Sequence, residues 1–385
     1  MKIIRYESYH GFPLDERGNG YFVSQYCDIY MGYWFASASD GMHDAGGKNI
    51  SYLNFSGMAD VFVDGTVNPD FDPNWVLRDE NGDYIYAINN PQNKAIDPMN
   101  QGFRDYLVGY IQTRLAEGFD GCWADNGIAP RFPDDFTYNT LAINPRTGTF
   151  YTDADYVRDR VSLLNYVKQV LPQALLISNG FWSGRRFYLY YDAYNYVLNN
   201  LKIDSIFSEG LFTDQDGMIW SEDEWIQSVN MVSELQNRWV NNYRIYVAYS
   251  QSRNGAVYNN ISEAQMADFL YASSLMGFSK DGNAFCAHNT MDIPEIQETL
   301  KIDIGYPIVT YSKIPNTMVY TRTFTKAKIF VNLSLVESYN LEEYGIIPPL
   351  GSLFIEEKAP IEARLPIIEL IISGLALFAI FKSKK

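Results

Sequence analysis

The chain has 385 residues, which suits one large α/β barrel with an accessory unit. Its 47% hydrophobic and 16% aromatic content supports a sizeable core and argues against a disordered chain. The net charge of −16 argues against a nucleic-acid partner, because phosphate binding needs clustered Lys and Arg, and such a cluster is absent before the last few residues.

Cysteine and histidine are scarce in this sequence. Cys27, Cys122 and Cys286 lie in apolar stretches and are too few for a disulfide scaffold. Cys27 and Cys286 fall on the predicted first and last barrel strands, so a bridge between neighbouring strands could form, although three buried thiols are the preferred interpretation. The three histidines lack metal-binding spacing, so we expect neither a metal site nor a cofactor.

Eight short apolar runs, rich in residues that favour strands, recur along the first three quarters of the chain. They lie at 27–35, 50–55, 95–97, 121–125, 174–180, 204–210, 244–250 and 283–288. Continuous apolar strands without strict alternation are typical of a parallel sheet that is buried on both faces. We therefore interpret the runs as the strands of one parallel sheet.

Helical patterns separate several of these strands. They cover 103–118, 153–172, 221–240 and 261–277. Ser221 and Ser262 are predicted caps, and Gly or Pro residues end most of the patterns. The alternation of strands and helices predicts an α/β fold, a (β/α)8 TIM barrel, over residues 1–298.

The pattern changes after about residue 300, where strand-like runs follow one another without helices between them. The runs MVYTRTF, KAKIFVNLSL and GSLFIEE are separated by turn residues. Such spacing is typical of antiparallel strands. We predict a small C-terminal antiparallel β domain at 299–358.

The last segment, 359–385, contains a long apolar run at 365–381 that basic residues follow. Its length is near the lower limit for crossing a bilayer, and Glu369 counts against a span. We predict a C-terminal hydrophobic helix that acts as a membrane anchor, with the barrel outside, at a cell or virion surface. The alternative is a helix that docks in a groove of a protein. No N-terminal signal peptide is visible, and that conflict stays open.

Two stretches, GFDGCWADNG at 118–127 and KIDSIFSEGL at 202–211, each place an acid at both ends of a short apolar run. Acids five residues apart in a strand point to opposite faces and lie about 16 Å apart, so they cannot form one site.

In a parallel barrel, Asp120 and Asp204 would lie at the amino-terminal rim, where we expect capping or turn bonding. Asp125 and Glu209 would lie at the carboxyl-terminal rim, where barrel enzymes perform chemistry. A protonated and an ionised carboxyl group at one rim suit cleavage of a glycosidic bond.

The GFDGCWADN stretch resembles the GFDG-x-x-x-D segment of a group of glycoside-hydrolase-like TIM barrels, which includes the endo-α-1,4-polygalactosaminidases. The order of ISYLNF, LLISNGFW, IDSIFSEGL and the R-x-F strand near the C-terminus is also similar, and the resemblance covers about 25–335. It implies that Asp125 is the nucleophile and Glu209 the acid/base of a retaining mechanism. An N-terminal signal is usual in that group, and an apolar tail is not.

Further side chains at strand ends and loops are expected to bind substrate. They are Tyr33, Trp34, Asn126, Asn179, Trp182, Tyr249, Arg78 and Asp79. The Asn179 amide would suit a sugar 2-hydroxyl group, and the Trp182 indole would suit a sugar ring face. Arg185 and Arg186 could bind an anionic sugar, and Trp123 is expected to fill the barrel interior.

The sequence therefore predicts a glycoside hydrolase that acts on a polysaccharide or glycan without metal or cofactor. One alternative is a non-catalytic carbohydrate-binding or structural protein of a cell or virion surface that keeps the barrel, because a fold does not determine a function. Another is a barrel lyase or isomerase that uses the same two acids.

Overall fold

The structure is a computed structural model, and it describes residues 3–8, 27–33, 36, 38–62, 64–88, 90–128, 139–214, 217–239, 244–250, 261–280, 283–287 and 294–356. Its first eleven strands are β1 (Ile3–Ser8), β2 (Ile29–Tyr33), β3 (Lys48–Asn54), β4 (Gly57–Ala59), β5 (Tyr86–Ala87), β6 (Asn90–Ala95), β7 (Gly121–Asp125), β8 (Leu175–Phe181), β9 (Ser205–Ser208), β10 (Ile245–Ser250) and β11 (Asn283–Ala287). All of these except β4, β5 and β6 pair in parallel and close into one barrel, in the order β1-β2-β3-β7-β8-β9-β10-β11.

The beginning of the barrel differs from the prediction. Residues 3–8, for which the sequence predicted no element, form β1 between β2 and β11. Polar and apolar residues mix in IIRYES, so this strand lacks the apolar run that identified the others. The predicted strand at 95–97 is instead the end of β6, in a small antiparallel sheet with β4 and β5. The two errors cancel, so β7 and β9 remain fourth and sixth in the barrel.

Among the described residues, helices follow seven of the eight barrel strands, and two of these helices follow β8. They are α1 (Ala38–Asp44), α2 (Gln101–Ala116), α3 (Asp153–Val170), α4 (Gly184–Leu189), α5 (Tyr191–Asn200), α6 (Glu222–Arg238), α7 (Glu263–Gly277) and α8 (Pro294–Lys301). The four predicted helices are confirmed within two residues at each end. Ser221 caps α6 in a reciprocal pair with Glu224, and the Ser262 hydroxyl caps α7.

The strand order rules out a bridge between Cys27 and Cys286, which was the alternative to three buried thiols. Cys27 precedes β2, and Cys286 lies on β11. Because β1 pairs with both strands and separates them, the two cysteines are not on neighbouring strands. Cys27 and Cys122 are buried thiols.

The barrel interior is filled by side chains that alternate with those facing the helices. Ile177, Phe207 and Val247 belong to this apolar cluster, together with Trp123. The Trp123 ring centroid lies 5.4 Å from that of Tyr52 and 5.5 Å from that of Phe207. Trp123 is therefore confirmed as a filler of the interior.

Antiparallel strands follow the barrel, as predicted. Strands β12 (Ser312–Lys313), β13 (Val319–Thr323), β14 (Ala327–Asn332) and β17 (Ser352–Glu356) form one sheet, and β15 (Tyr339–Asn340) pairs with β16 (Ile346–Ile347). The four-stranded sheet packs on the barrel helices, with ring centroids 4.8 Å apart for Trp225 and Tyr320 and 5.9 Å apart for Tyr271 and Phe354. The domain boundaries at 298 and 358 remain predictions.

The predicted membrane anchor at 365–381 lies outside the described residues. Within the ranges that the structure describes, no helix has both the length and the apolar character needed to cross a bilayer. The hydrophobic helix, the anchor and the surface location therefore have no structural support and remain predictions.

Candidate active site

The two predicted catalytic acids lie on strands that one other strand separates. Asp125 ends β7, and Glu209 directly follows β9. Strand β8 lies between them and carries Asn179. Because all three strands are parallel, the three side chains meet at the carboxyl-terminal edge of the barrel.

The Asn179 amide nitrogen contacts both acids. It donates hydrogen bonds to Asp125 Oδ1 at 3.1 Å and to Glu209 Oε2 at 2.6 Å. The sum of these two distances limits the separation of the two carboxylate oxygens to 5.7 Å. Asn179 itself is buried, with 1% of its surface exposed.

The backbone around Asn179 determines which way its amide points. The Gly180 N–H donates to Asn179 Oδ1 at 2.6 Å, so the amide nitrogen must face the acids. Gly180 has a φ of 133°, and a Cβ at this position would lie 1.9 Å from the Ile128 carbonyl oxygen. Only glycine fits at this position of β8. Asn179 was predicted to contact a sugar, and the hydrogen bonds from its amide to the two acids were not predicted.

Asp125 accepts further hydrogen bonds from two other residues. Tyr52 Oη donates to Oδ2 at 2.7 Å, while Asn126 donates from its backbone N–H to Oδ1 at 2.9 Å and from its side chain to Oδ2 at 3.2 Å. Asn126 was predicted to bind a sugar, and its amide here contacts the acid instead. Tyr52 was not among the predicted site residues. It lies on β3, and its inward-facing position on that strand could have identified it.

Burial raises the pKa values of both acids, and the negative charge of Asp125 adds to the rise at Glu209. Burial, followed by the negative charge of Asp125, raises the pKa of Glu209 to about 7, against the opposing Asn179 hydrogen bond. Burial also raises the pKa of Asp125, while hydrogen bonds from Tyr52, Asn179 and Asn126 oppose the rise. The site can therefore hold one proton near neutral pH, with Glu209 as its carrier.

Trp182 lies close to the residue that follows Glu209. A Cβ at Gly210, the residue after Glu209, would lie 3.7 Å from Trp182 Cε3. The Arg186 guanidinium lies 5.4 Å from the centre of the Trp182 ring. The Trp182 indole thus lies beside the residue that follows Glu209, and its contact with a sugar ring remains a prediction.

Tyr249 is buried inside the barrel, and two further predicted contacts, Arg78 and Asp79, line a groove that does not include the acids, so their contacts with substrate remain predictions. Tyr249 lies on β10, but its ring is 4% exposed and packs 5.1 Å from Phe207 inside the barrel. Arg78 donates to the Gly82 carbonyl at 2.8 Å, and Asp79 accepts from the backbone of its own turn. The groove that both residues line is bounded by residues 74–82 and 143–150 and includes neither acid.

The other arginine that was considered for an anionic sugar has a protein partner. Arg185 Nη1 lies 2.8 Å from Glu224 Oε1 on α6. Because Glu224 also belongs to the cap of that helix, this contact ties α4 to α6. Arg185 therefore forms an exposed ion pair within the protein, and its contact with an anionic sugar remains a prediction.

Part of the predicted site lies outside the described residues. This applies to Trp34 and to the side chain of Tyr33. The contacts of these residues with substrate remain predictions.

The acids at the amino-terminal rim are structural, as predicted. Asp120 accepts from the Asn49 N–H at 2.8 Å, and Asp204 accepts from the Leu176 N–H at 2.9 Å. Each carboxylate also lies 2.7 Å from a lysine Nζ. Each acid thus binds the first residues of the neighbouring strand, far from the other acid of its own run.

No metal centre accompanies the acid pair among the described residues. That part of the chain contains no group of three or more His, Cys, Asp or Glu side chains arranged to hold an ion. The described part of the site presents two carboxyl groups and their hydrogen-bond donors.

The chain is similar to several solved structures, of which two have TM-scores above 0.5 and share its fold. Eubacterium rectale Amy13B is 12% identical, with 93% of this chain and 95% of that chain covered and a TM-score of 0.52. A family GH13_31 enzyme is 10% identical, with 92% and 99% covered and a TM-score of 0.52. The glycoside hydrolase domain of PelA from Pseudomonas aeruginosa is 11% identical, with 76% and 96% covered and a TM-score of 0.45. At such identities these likenesses concern the fold alone.

Family membership comes from the sequence itself. No curated protein matches the chain at a significant level. The sequence profile of hypothetical glycosyl hydrolase family 15, in contrast, matches residues 48–328, a range that contains Asp125, Asn179 and Glu209. The match confirms the resemblance to glycoside-hydrolase-like barrels, and because it spans well over half of the sequence, this chain belongs to hypothetical glycosyl hydrolase family 15.

Proposed function

We propose that this protein is a retaining glycoside hydrolase on a (β/α)8 barrel, with Asp125 as nucleophile and Glu209 as acid/base. The observation that carries the proposal is the Asn179 amide between the two acids, which limits the separation of their bonded oxygens to 5.7 Å. Retaining enzymes place their carboxyl groups about 5–5.5 Å apart, whereas inverting enzymes need about 6.5–9.5 Å for a water molecule. Family membership supports the glycosidic chemistry.

In the first step, protonated Glu209 donates its proton to the glycosidic oxygen while an Asp125 carboxylate oxygen attacks the anomeric carbon. The bond to the leaving group breaks, and a covalent glycosyl ester of Asp125 forms. A Glu209 pKa of about 7 leaves the acid protonated at neutral pH and below. The hydrogen bonds from Tyr52 and Asn126 favour the ionised form of Asp125 that this attack requires.

In the second step, Glu209 acts as a base. Ester formation removes the negative charge of Asp125, which is one cause of the raised Glu209 pKa. The pKa of Glu209 therefore falls, and its carboxylate accepts a proton from a water molecule that attacks the anomeric carbon. The sugar leaves with its original anomeric configuration, and Asp125 regains its charge.

The substrate class that fits this site is a carbohydrate with an accessible glycosidic bond. Trp182, beside Glu209, offers an aromatic face to a sugar ring. Asn179 keeps the two acids at the distance that the double displacement needs.

The test is hydrolysis of a polysaccharide panel, followed by proton NMR of the first-formed product anomer. The wild-type protein should release product with retained configuration. Asp125→Asn and Glu209→Gln should each lose about 10²–10⁴-fold in kcat. Asp120→Asn, the same substitution at the opposite rim of the barrel, is the matched control and should stay active. Binding of the polysaccharide without turnover by the wild type, or an inverted product, would contradict the proposal.

A further inference from the structure

One buried arginine contacts the turn that carries the proposed nucleophile. Arg160 on α3 is 1% exposed. Its guanidinium donates from Nε to the Gly127 carbonyl at 3.1 Å, from Nη1 to the Phe55 carbonyl at 2.5 Å and from Nη2 to the Asn126 carbonyl. The planar guanidinium thereby joins the end of β3 to the two residues that follow Asp125.

This turn has a conformation that needs support. Asn126 has a φ of 49°, in the left-handed region that a residue with a Cβ avoids. The same conformation directs the Asn126 N–H to Asp125 Oδ1 and the Asn126 amide to Oδ2. A further tie is the Phe55 N–H, which donates to the Asp125 carbonyl at 2.9 Å. The two Asn126 donors to Asp125 thus depend on the turn that Arg160 binds.

We propose that Arg160 is a positioning residue of this site: by binding the carbonyls of Phe55, Asn126 and Gly127, it holds the turn that directs the Asn126 donors to Asp125. Arg160 itself touches no reacting atom in this account. The expected effect of Arg160 on turnover rests on the proposed function. Its effect on the turn and on the Asn126 donors to Asp125 does not.

A second buried arginine provides a matched control. Arg104 on α2 is 7% exposed and donates from Nε to the Pro98 carbonyl at 2.8 Å and from Nη2 to Ser162 Oγ at 3.0 Å. These contacts are remote from Asp125. Replacement of Arg104 therefore removes a comparable buried guanidinium without changing the turn after β7.

The first experiment measures the acidity of Asp125 without requiring turnover. In a Glu209→Gln background, where Glu209 no longer titrates, the unfolding free energy is measured against pH with and without Asp125→Asn. Because burial raises the pKa of Asp125, its carboxylate costs stability as the pH rises from the unfolded value toward the folded value. Asp125→Asn removes this cost. The difference in unfolding free energy between the two proteins therefore grows with pH and becomes constant above the folded-state pKa of Asp125. We call the pH at which it becomes constant the levelling point.

Arg160→Met should move that levelling point up by about 0.5 to 1 pH unit, because a relaxed turn loses donors to the carboxylate. Arg160→Lys, which keeps the charge but reaches fewer carbonyls, should move it less, and Arg104→Met should leave it in place. If Arg160→Met does not fold, the lysine variant decides. A folded Arg160 variant with the wild-type levelling point, or an equal shift in Arg104→Met, would overturn the proposal.

The second experiment uses the polysaccharide that the wild-type protein hydrolyses. Arg160→Met should lower kcat by about 10- to 100-fold while KM changes less than about threefold. Asn126→Gly should lose less kcat in the Arg160→Met background than in the wild type, because glycine adopts a φ of 49° without support. Equal losses in both backgrounds would overturn the role of the turn. A wild type without turnover refutes the proposed function alone, and the stability measurement still judges Arg160.

Discussion

At the scale of single residues, the two carboxyl groups differ in the donors that reach them. Asp125 accepts from Tyr52, Asn126 and Asn179. Within the described residues, Glu209 shares only the Asn179 donor. Donors to a carboxylate stabilise its charged form, so the pair holds its proton on Glu209. In the proposed mechanism, the unequal surroundings, rather than the residue types, assign the attack to Asp125 and the proton donation to Glu209.

The proton on Glu209 predicts the upper limit of the activity range. Because Glu209 has a pKa of about 7, activity should fall as the pH rises through about 7 and the proton donor is lost. The measurement is the pH profile of kcat/KM between pH 4 and 10. A rate that stays constant up to pH 9 would contradict the assignment of Glu209.

Asn179→Ala should shift both limbs of that pH profile to higher pH. The variant removes a donor to both carboxylates, and loss of a donor to a charged acid raises its pKa. We expect kcat/KM at pH 6 to fall by about 10- to 100-fold. Asn165→Ala is the control. The Asn165 amide is hydrogen-bonded too, to two backbone groups, and it lies away from the site. Unchanged limbs in Asn179→Ala would show that the amide does not set the acidity of the pair.

At the scale of elements, one arginine joins the C-terminal sheet to the barrel. Arg322 on β13 donates from Nη1 to the carbonyls of Leu275, Met276 and Phe278, at and just beyond the end of α7, at 2.7, 2.8 and 2.8 Å. A cation at a helix C-terminus also meets the negative end of the helix dipole. Burial lowers the pKa of Arg322 to about 10, so it keeps its charge at neutral pH.

Arg322→Met should destabilise the protein by about 2 to 4 kcal/mol, because three carbonyls lose a charged donor. Urea unfolding at pH 7 measures the change. Arg158→Met serves as control, since Arg158 is more than half exposed and its ion pair, with Asp155 one turn away at 3.1 Å, is on the surface. Its loss should cost less than about 0.5 kcal/mol. Equal effects of the two substitutions would contradict the role of Arg322.

Asp268 on α7 predicts a stability that falls with pH. Burial raises its pKa to about 6, and its Oδ1 has no hydrogen-bond partner among the described residues. A folded-state pKa above the unfolded value means that stability is lost as the pH rises from about 4 to above 6.

Asp268→Asn should therefore add about 1 to 2 kcal/mol of unfolding free energy at pH 8 and almost none at pH 4. Thermal unfolding across this pH range measures the effect. Asp303→Asn is the contrast, because Lys326 lowers the pKa of Asp303 and the sign reverses. A gain from Asp268→Asn that does not depend on pH would contradict the account.

Some elements could be predicted from the sequence, and others could not. Caps such as Ser221 and Ser262 are local signals, so the helices were predicted within two residues. Strand β1 has a mixed composition that local reasoning does not separate from a loop, and only its pairing with β2 and β11 makes it a strand. The run at 95–97 is apolar because Ala95, at the end of β6 in the small sheet, and the next residue, Ile96, are both buried. Neither residue belongs to a barrel strand.

At the scale of the whole molecule, the barrel separates two uses of the same acid pattern. Asp120 and Asp204 bind the starts of neighbouring strands at one rim, while Asp125 and Glu209 share a donor at the other. The meeting of the second pair could be predicted, because parallel strands bring their carboxyl ends to one edge.

The contacts around that pair could not be predicted from the sequence. Tyr52 reaches Asp125 because β3 pairs with β7. Arg160 reaches the turn after β7 because α3 places its guanidinium against the Phe55 carbonyl and that turn. That depends on strand register and helix packing, which the sequence pattern does not show.

The central claim is that Asp125 forms a covalent bond to the sugar. Glu209→Ala, incubated with an activated aryl glycoside of the preferred sugar, should accumulate this intermediate, because the variant lacks the base that the second step needs. Intact-mass and peptide mass spectrometry should then find one added glycosyl group on the peptide that contains Asp125. Release of the aryl group without any adduct, or an adduct on a different carboxylate, would contradict the account.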